Sequence, residues 1–133
     1  MKRVIVAGSR YFNDKDKLYS ILDDVVKELG SDIEIVSGCC RGADKLGEQY
    51  AEEHNIPVKR FPADWAKYGL RAGYVRNAEM AEYASNGDGS GWLVAFPLEV
   101  SKGTKMMVDL ARKNCLKICV VQGDLIYGEP SYR

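Results

Sequence analysis

Four short stretches hold most of the side chains able to recognise a charged ligand. They are Gly8-Ser9-Arg10, Ser37-Gly38 with Arg41-Gly42-Ala43-Asp44, the segment from Trp65 and Tyr68 to Arg76-Asn77, and Lys102-Gly103-Thr104. Glycine lets backbone come close to a ligand and take positive φ, and a helix that starts at once afterwards offers unpaired N–H groups at the positive end of its dipole. Arginine adds a planar fork able to donate two parallel hydrogen bonds to phosphate oxygens. The chemistry these residues suit is recognition of phosphate. A plainer reading stands beside it: Gly38 and Gly42 shape a tight strand-to-helix turn, and Asp44 is a first-turn carboxylate favoured by the helix dipole. Thr104 likewise either contacts phosphate or caps its helix. Trp65, Tyr68, Arg71, Tyr74 and Arg76 interleave aromatic and cationic groups, as stacking on a base and pairing with its phosphate or ribose would require. A loop packing its own side chains onto a sheet edge has the same composition. Arg76-Asn77 is expected near a helix start, where the dipole disfavours a cation, so an anionic partner is expected for Arg76.

Other chemistries find less support. Neither the Gly-x-x-x-x-Gly-Lys loop nor the Gly-x-Gly-x-x-Gly fingerprint is present, which removes the ordinary ATPase and dehydrogenase readings. Cys39 and Cys40 are adjacent, without the two-residue gap of a zinc or redox motif, and the chain has one histidine. No metal and no cofactor is expected. The cysteine pair reads as small turn residues, and Cys115 and Cys119 as core packing. His54 falls at a helix end, where an imidazolium faces free carbonyls. Glu79 and Asp109 read as solvated helix faces.

These residues must be positioned by elements the pattern makes legible. Val4 to Ala7 is a continuous apolar strand, followed by a helix with apolar residues at Leu18, Ile21, Leu22, Val25, Val26 and Leu29, capped by Asn13 or Asp14 and stopped at Gly30. Ile33 to Val36 is a second strand, and Ala43, Leu46, Gly47, Tyr50 and Ala51 carry the next helical stripe, closed by Asn55 and Pro57. A short strand over Pro57 to Phe61 leads through a long loop to a helix from about Tyr74 to Ala84. Trp92 to Phe96 is apolar on every residue, which predicts a central strand covered on both faces. A helix after Gly103-Thr104 and a strand over Lys117 to Val121 complete the core, residues 1–121. The tail, 122–133, has at most one more short strand at Leu125 to Tyr127.

Strict alternation of strands and helices predicts an α/β fold: a Rossmann-like three-layer sandwich around a mostly parallel five-stranded sheet. Ligands of such sheets bind outside the carboxyl ends of the strands, where strand order reverses. All four chemistry-bearing stretches fall in loops predicted on that edge. The 133 residues, 46% hydrophobic, fit a single domain. Nineteen basic and nineteen acidic residues give a net charge of zero, so nucleic acid is the weaker expectation for a partner. No stretch has the length of a membrane span. The opening apolar run is too short for a signal peptide. A cytoplasmic protein with reduced thiols is expected.

The segments VIVAGSR, IVSGCCRGAD, FPADWAKYG, AGYVRNAEM and SKGT, in this order, resemble the YspA/YpsA-related (YAcAr-like) branch of the SLOG superfamily over residues 1 to about 121. That superfamily includes the Lonely Guy phosphoribohydrolases and DprA, and the resemblance implies a nucleotide pocket without supplying a reaction. Lonely Guy enzymes carry Arg-Lys-x-x-Met and Pro-Gly-Gly-x-Gly-Thr-x-x-Glu. Here Arg76-Asn77-Ala78-Glu79-Met80 keeps the arginine and the methionine, whereas Met107 stands where the glutamate belongs. Without that glutamate, Asp44, Asp64, Glu79 or Glu99 would have to serve an oxocarbenium-like transition state. The expectation is a protein that binds a nucleotide or nucleotide derivative, as sensor or sequestering protein. Phosphate would be held by Ser37 to Ala43 and Lys102 to Thr104, with Arg41 and Arg76 neutralising it and Trp65 or Tyr68 beside the base. A nucleotide N-glycosidase and a DprA-like DNA-binding module are the alternatives, and the resemblance makes a homodimer plausible.

Overall fold

The computed structural model describes residues 1–89, 91–98, 102–123 and 125–128, with 102 and 125–128 described by their backbone alone. Its strands are β1 (Lys2–Gly8), β2 (Ile33–Ser37), β3 (Val58–Arg60), β4 (Trp92–Phe96), β5 (Lys117–Gln122) and β6 (Leu125–Gly128). The helices are α1 (Lys15–Leu29), α2 (Ala43–Glu53), α3 (Trp65–Tyr68), α4 (Ala72–Ser85) and α5 (Lys102–Lys113). They build one sheet in the order β3-β2-β1-β4-β5-β6. The first five strands are parallel, as expected, and β6 joins β5 antiparallel as a sixth, at the segment where the tail carried its weak strand signal.

Side-chain alternation along each strand sorts the sheet into two cores. Val4, Val6, Ile33, Ile35, Val94 and Phe96 face α1 and α2, packing on Leu18, Leu22, Tyr50 and Ala51. Ile5, Val36, Leu93, Ala95, Ile118 and Val120 point the opposite way, onto Met80, Ala81 and Ala84 of α4 and Met107, Leu110 and Ala111 of α5. Both faces of Val4–Val6 and Leu93–Phe96 are therefore dry, which is why these stretches lack polar alternation, while Glu34 in β2 is covered by Arg3 and Tyr83. α1 starts where Asp14 accepts a hydrogen bond from the Lys17 amide. α2 ends where the His54 ring stacks on Tyr50, with centroids 3.9 Å apart, and its Nδ1 lies 2.9 Å from the Tyr50 carbonyl oxygen. Asn55 follows at φ 56°, the left-handed residue that stops the helix.

Two expectations are corrected. The predicted loop before Tyr74 is structured: Asp64 caps the short α3 by accepting from the Lys67 amide, a 3₁₀ turn over Gly69–Arg71 follows, and α4 begins at Ala72. Arg76 thus sits one turn into α4, not at its start. A four-residue helix is too short to show a 3.6-residue period, so its cap was the one available signal. Cys115 is exposed at φ 61° in the turn between α5 and β5, whereas Cys119 packs beside the core as expected.

Candidate functional site

The order of the strands reverses between β1 and β4: from β1 the chain proceeds outward to β2 and β3, then returns across the sheet to β4. A cavity of about 500 Å³ opens at the carboxyl ends of these strands, a volume typical of small-molecule sites. Gly8 and Ala7 at the end of β1, Ala95 on β4, and Met80 and Met107 from the helices form its floor. Gly38, Cys39, Cys40 and Asp44 make one wall, Arg76 and Asn77 a second, and Gly103 and Thr104 a third, with Trp65 at the rim. Residues following β1, β2 and β4 thus border one space at the sheet edge where the alternation of strands and helices places them.

The centre of the wall is Gly38. A Cβ there would lie 2.9 Å from Asp44 Oδ2 and 3.0 Å from Arg76 Nη1, so the carboxyl and guanidinium approach the same backbone point from two sides. Asp44 is 5% exposed and accepts a hydrogen bond from the Cys40 amide. Burial drives its carboxyl up to about 6, against the opposing pull of the Cys40 amide and the Arg76 charge. The plainer reading of Asp44 as a first-turn carboxylate is correct in position but incomplete, because its side chain is buried in the cavity wall. Arg76 spends Nη1 on the Gly38 carbonyl and Nε on Asn77 Oδ1. Among the described residues, Arg3, Arg60 and Arg112 form ion pairs with carboxylates, whereas Arg10, Arg41, Arg71 and Arg76 make no such contact; Arg76 approaches Asp44 across Gly38 without pairing directly.

Several predicted residues are placed elsewhere. Ser37 is fully buried: its hydroxyl donates to Glu48 and accepts from the Cys39 amide, so it holds the turn from behind. Gly42, at φ 78°, is pressed against the loop after β1, where a Cβ would come within 2.2 Å of the Ser9 carbonyl oxygen. That carbonyl accepts the Ala43 amide and, within its own loop, the Phe12 amide. The first turn of α2 is therefore stitched to the neighbouring loop, and Arg41 is exposed outside the cavity lining. Tyr68 is half-buried and does not line the cavity either. The Lys102 side chain and Glu99 lie outside the described residues. Among the carboxylates considered as substitutes for the missing glutamate, Asp64 caps α3 and Glu79 is exposed, which leaves Asp44 as the cavity's carboxyl among the described residues.

Cys39 occupies φ 67°, and burial is the main cause holding its thiol above the usual range, so it stays protonated at neutral pH. Sequence reasoning missed the methionines, Met80, Met106 and Met107, which line the cavity from inside the apolar stripes of α4 and α5. No group of three potential ligand side chains suited to a metal is found among the described residues. No described helix is long and apolar enough to cross a membrane.

A model of the YspA, cpYpsA-related SLOG family matches residues 2–68. The Gene 61 protein of Mycobacterium phage D29 is 32% identical over 118 residues, spanning 85% of this chain and 90% of the relative. Among solved structures, DNA processing protein A (DprA) from Streptococcus pneumoniae superposes with a TM-score of 0.64 at 14% identity, over 93% of this chain. This chain spans about half of that protein, 51%, so the likeness concerns the fold.

Proposed function

The chain belongs to the YspA, cpYpsA-related SLOG family, and from that premise we propose that it binds a nucleotide or nucleotide derivative in the cavity at the carboxyl ends of β1, β2 and β4. The observation that carries this reading is Arg76, a half-buried cation in the cavity wall with no carboxylate partner among the described residues. Asp44, across Gly38, balances this charge only without direct contact, and an anionic ligand would complete the pairing. Two of its five N–H groups are oriented by Gly38 and Asn77, which pre-organises the fork toward a phosphate. The first turn of α5, at Gly103 and Thr104, faces the same space and favours the same sign of charge. Trp65, 59% exposed at the rim, supplies a ring on which a base can stack.

The test is to denature the purified protein and identify by mass spectrometry any small molecule it releases, with Arg76→Ala beside it. A nucleotide-type ligand whose occupancy falls at least roughly tenfold in Arg76→Ala is expected. Undiminished occupancy in the variant would refute the pocket.

A second reading rests on Asp44. A buried carboxyl with a proton affinity near neutrality, inside a cavity, is the kind of group that serves as general acid or base. In hydrolysis of an N-glycosidic bond, water adds to the ribose carbon and the base leaves carrying a proton; Asp44 would take the proton from water or deliver it to the base. Incubation with AMP, NAD and ADP-ribose separates the readings, since a binding protein releases no free base.

A further inference from the structure

A second hollow, of about 430 Å³, lies beside the cavity and is lined by Ser9, Tyr11, Pro97 and Leu98 together with Gly8, Arg10 and Thr104. The last three residues line the first cavity as well. The two chambers therefore meet along a ridge made of a glycine, one arginine side chain and the first turn of α5. Gly8 keeps the ridge low, since its Cβ would fall 2.4 Å from the Phe96 carbonyl oxygen and no side chain fits there. Arg10 is exposed and, among the described residues, has no carboxylate partner.

From this arrangement we infer that the ligand is two-armed: a nucleotide joined through a bridging phosphate or diphosphate to a second ring-bearing group, with one arm in each chamber. This rests on the nucleotide reading of the first cavity and adds the class of ligand. The crossing point is cationic at Arg10 and bordered by a helix start, which suits an anionic bridge. The second chamber has a different character. Tyr11 is 71% exposed and Leu98 54% exposed, and with Pro97 they present an apolar shelf beside the charged ridge. Tyr11 is nevertheless held in place. Its amide donates to Ser9 Oγ, and its neighbour Phe12 is buried against Phe96, with ring centroids 5.2 Å apart. An exposed aromatic ring on a fixed loop, next to a cation with no carboxylate partner among the described residues, suits a ring laid at the end of a phosphate chain. A mononucleotide would fill the first chamber and leave this shelf unused.

The experiment is isothermal titration of the purified protein, freed of co-purified ligand, with AMP and with ADP-ribose. ADP-ribose should bind roughly tenfold or more tightly than AMP, the difference that a second phosphate at Arg10 and a ribose laid against the Tyr11 shelf would make. Tyr11→Ala should remove most of that advantage while leaving AMP within about twofold. Leu98→Ala, which strips the apolar shelf without touching the first cavity, should reduce it as well. Both positions are exposed, so unchanged melting temperatures are expected and confirm folding. Equal affinities for AMP and ADP-ribose, or an ADP-ribose advantage that survives both substitutions, would overturn the two-armed ligand and leave the nucleotide reading standing. No binding of either compound would overturn both.

Discussion

Replacing Asp44 by asparagine should make the protein more stable at neutral pH. The carboxyl is 5% exposed and has been driven from 3.8 to about 6, chiefly by burial. In the unfolded chain it ionises near its ordinary value, so between those two pH values the folded state holds more protons than the unfolded one. Stability then falls as pH rises through this window, the reverse of the usual carboxylate. At about 1.4 kcal/mol per tenfold change in proton affinity, the cost at pH 7 is about 3 kcal/mol. Asparagine keeps an oxygen to accept the Cys40 amide but brings an NH₂ group that needs its own acceptor, which takes back about 1 kcal/mol. A net gain of about 2 kcal/mol remains, worth roughly 5–10 °C in melting temperature for a chain of this size. Urea unfolding of both proteins from pH 3.5 to 8 measures it. The two stability curves should lie together, or with asparagine slightly below, near pH 4, then separate up to pH 6 and run parallel above. Equal separation at every pH, or a variant less stable at pH 7, would refute the claim that burial outweighs Arg76 and the turn amides. A stability cost kept at a cavity carboxyl is what a functional site displays.

Three further outcomes follow from neighbouring contacts. Gly42→Ala puts a Cβ within 2.2 Å of the Ser9 carbonyl oxygen at φ 78° and should cost about 3 kcal/mol or more by urea midpoint, whereas Gly69→Ala, at φ 58° with open space around it, should cost only about 1–2 kcal/mol. Glu48 behaves oppositely to Asp44. Burial alone would raise its carboxyl, but the Ser37 hydroxyl, Arg60 and Lys45 outweigh that and hold it below the ordinary 4.5, so its contribution is present above that pH and is lost on acidification. Glu48→Gln should therefore lose about 1–3 kcal/mol at pH 7, a deficit that shrinks below about pH 4 in the same unfolding series. Arg76→Lys should weaken nucleotide binding measurably by titration calorimetry, because an ammonium cannot donate to Gly38, Asn77 and a ligand with one planar fork.

The sequence alone determined the architecture, because its signals are local and repeated. All-apolar β1 and β4, the stripes of α1 and α2, and Asp14 and Gly30 as caps each state a period or a boundary, and strict alternation then leaves a parallel sheet as the economical solution. It also determined that glycine, arginine and small hydroxyls end up on one edge, since every turn after a parallel strand's carboxyl end must lie there. Which of those residues enter the cavity was decided by tertiary structure. Ser37 and Arg41 sit in the same turn as Gly38 and Asp44, yet one is turned inward onto Glu48, the second stands in solvent, and the other two line the wall. Nothing local distinguishes them, because the difference arises when Ser9 of one loop docks on the first turn of α2 and Arg76 of α4 reaches Gly38 from across the sheet edge. The proton affinity of Asp44 belongs to the same category. An aspartate's charge is written in the sequence, but the cost of keeping that charge depends on how much water the surrounding elements leave around it.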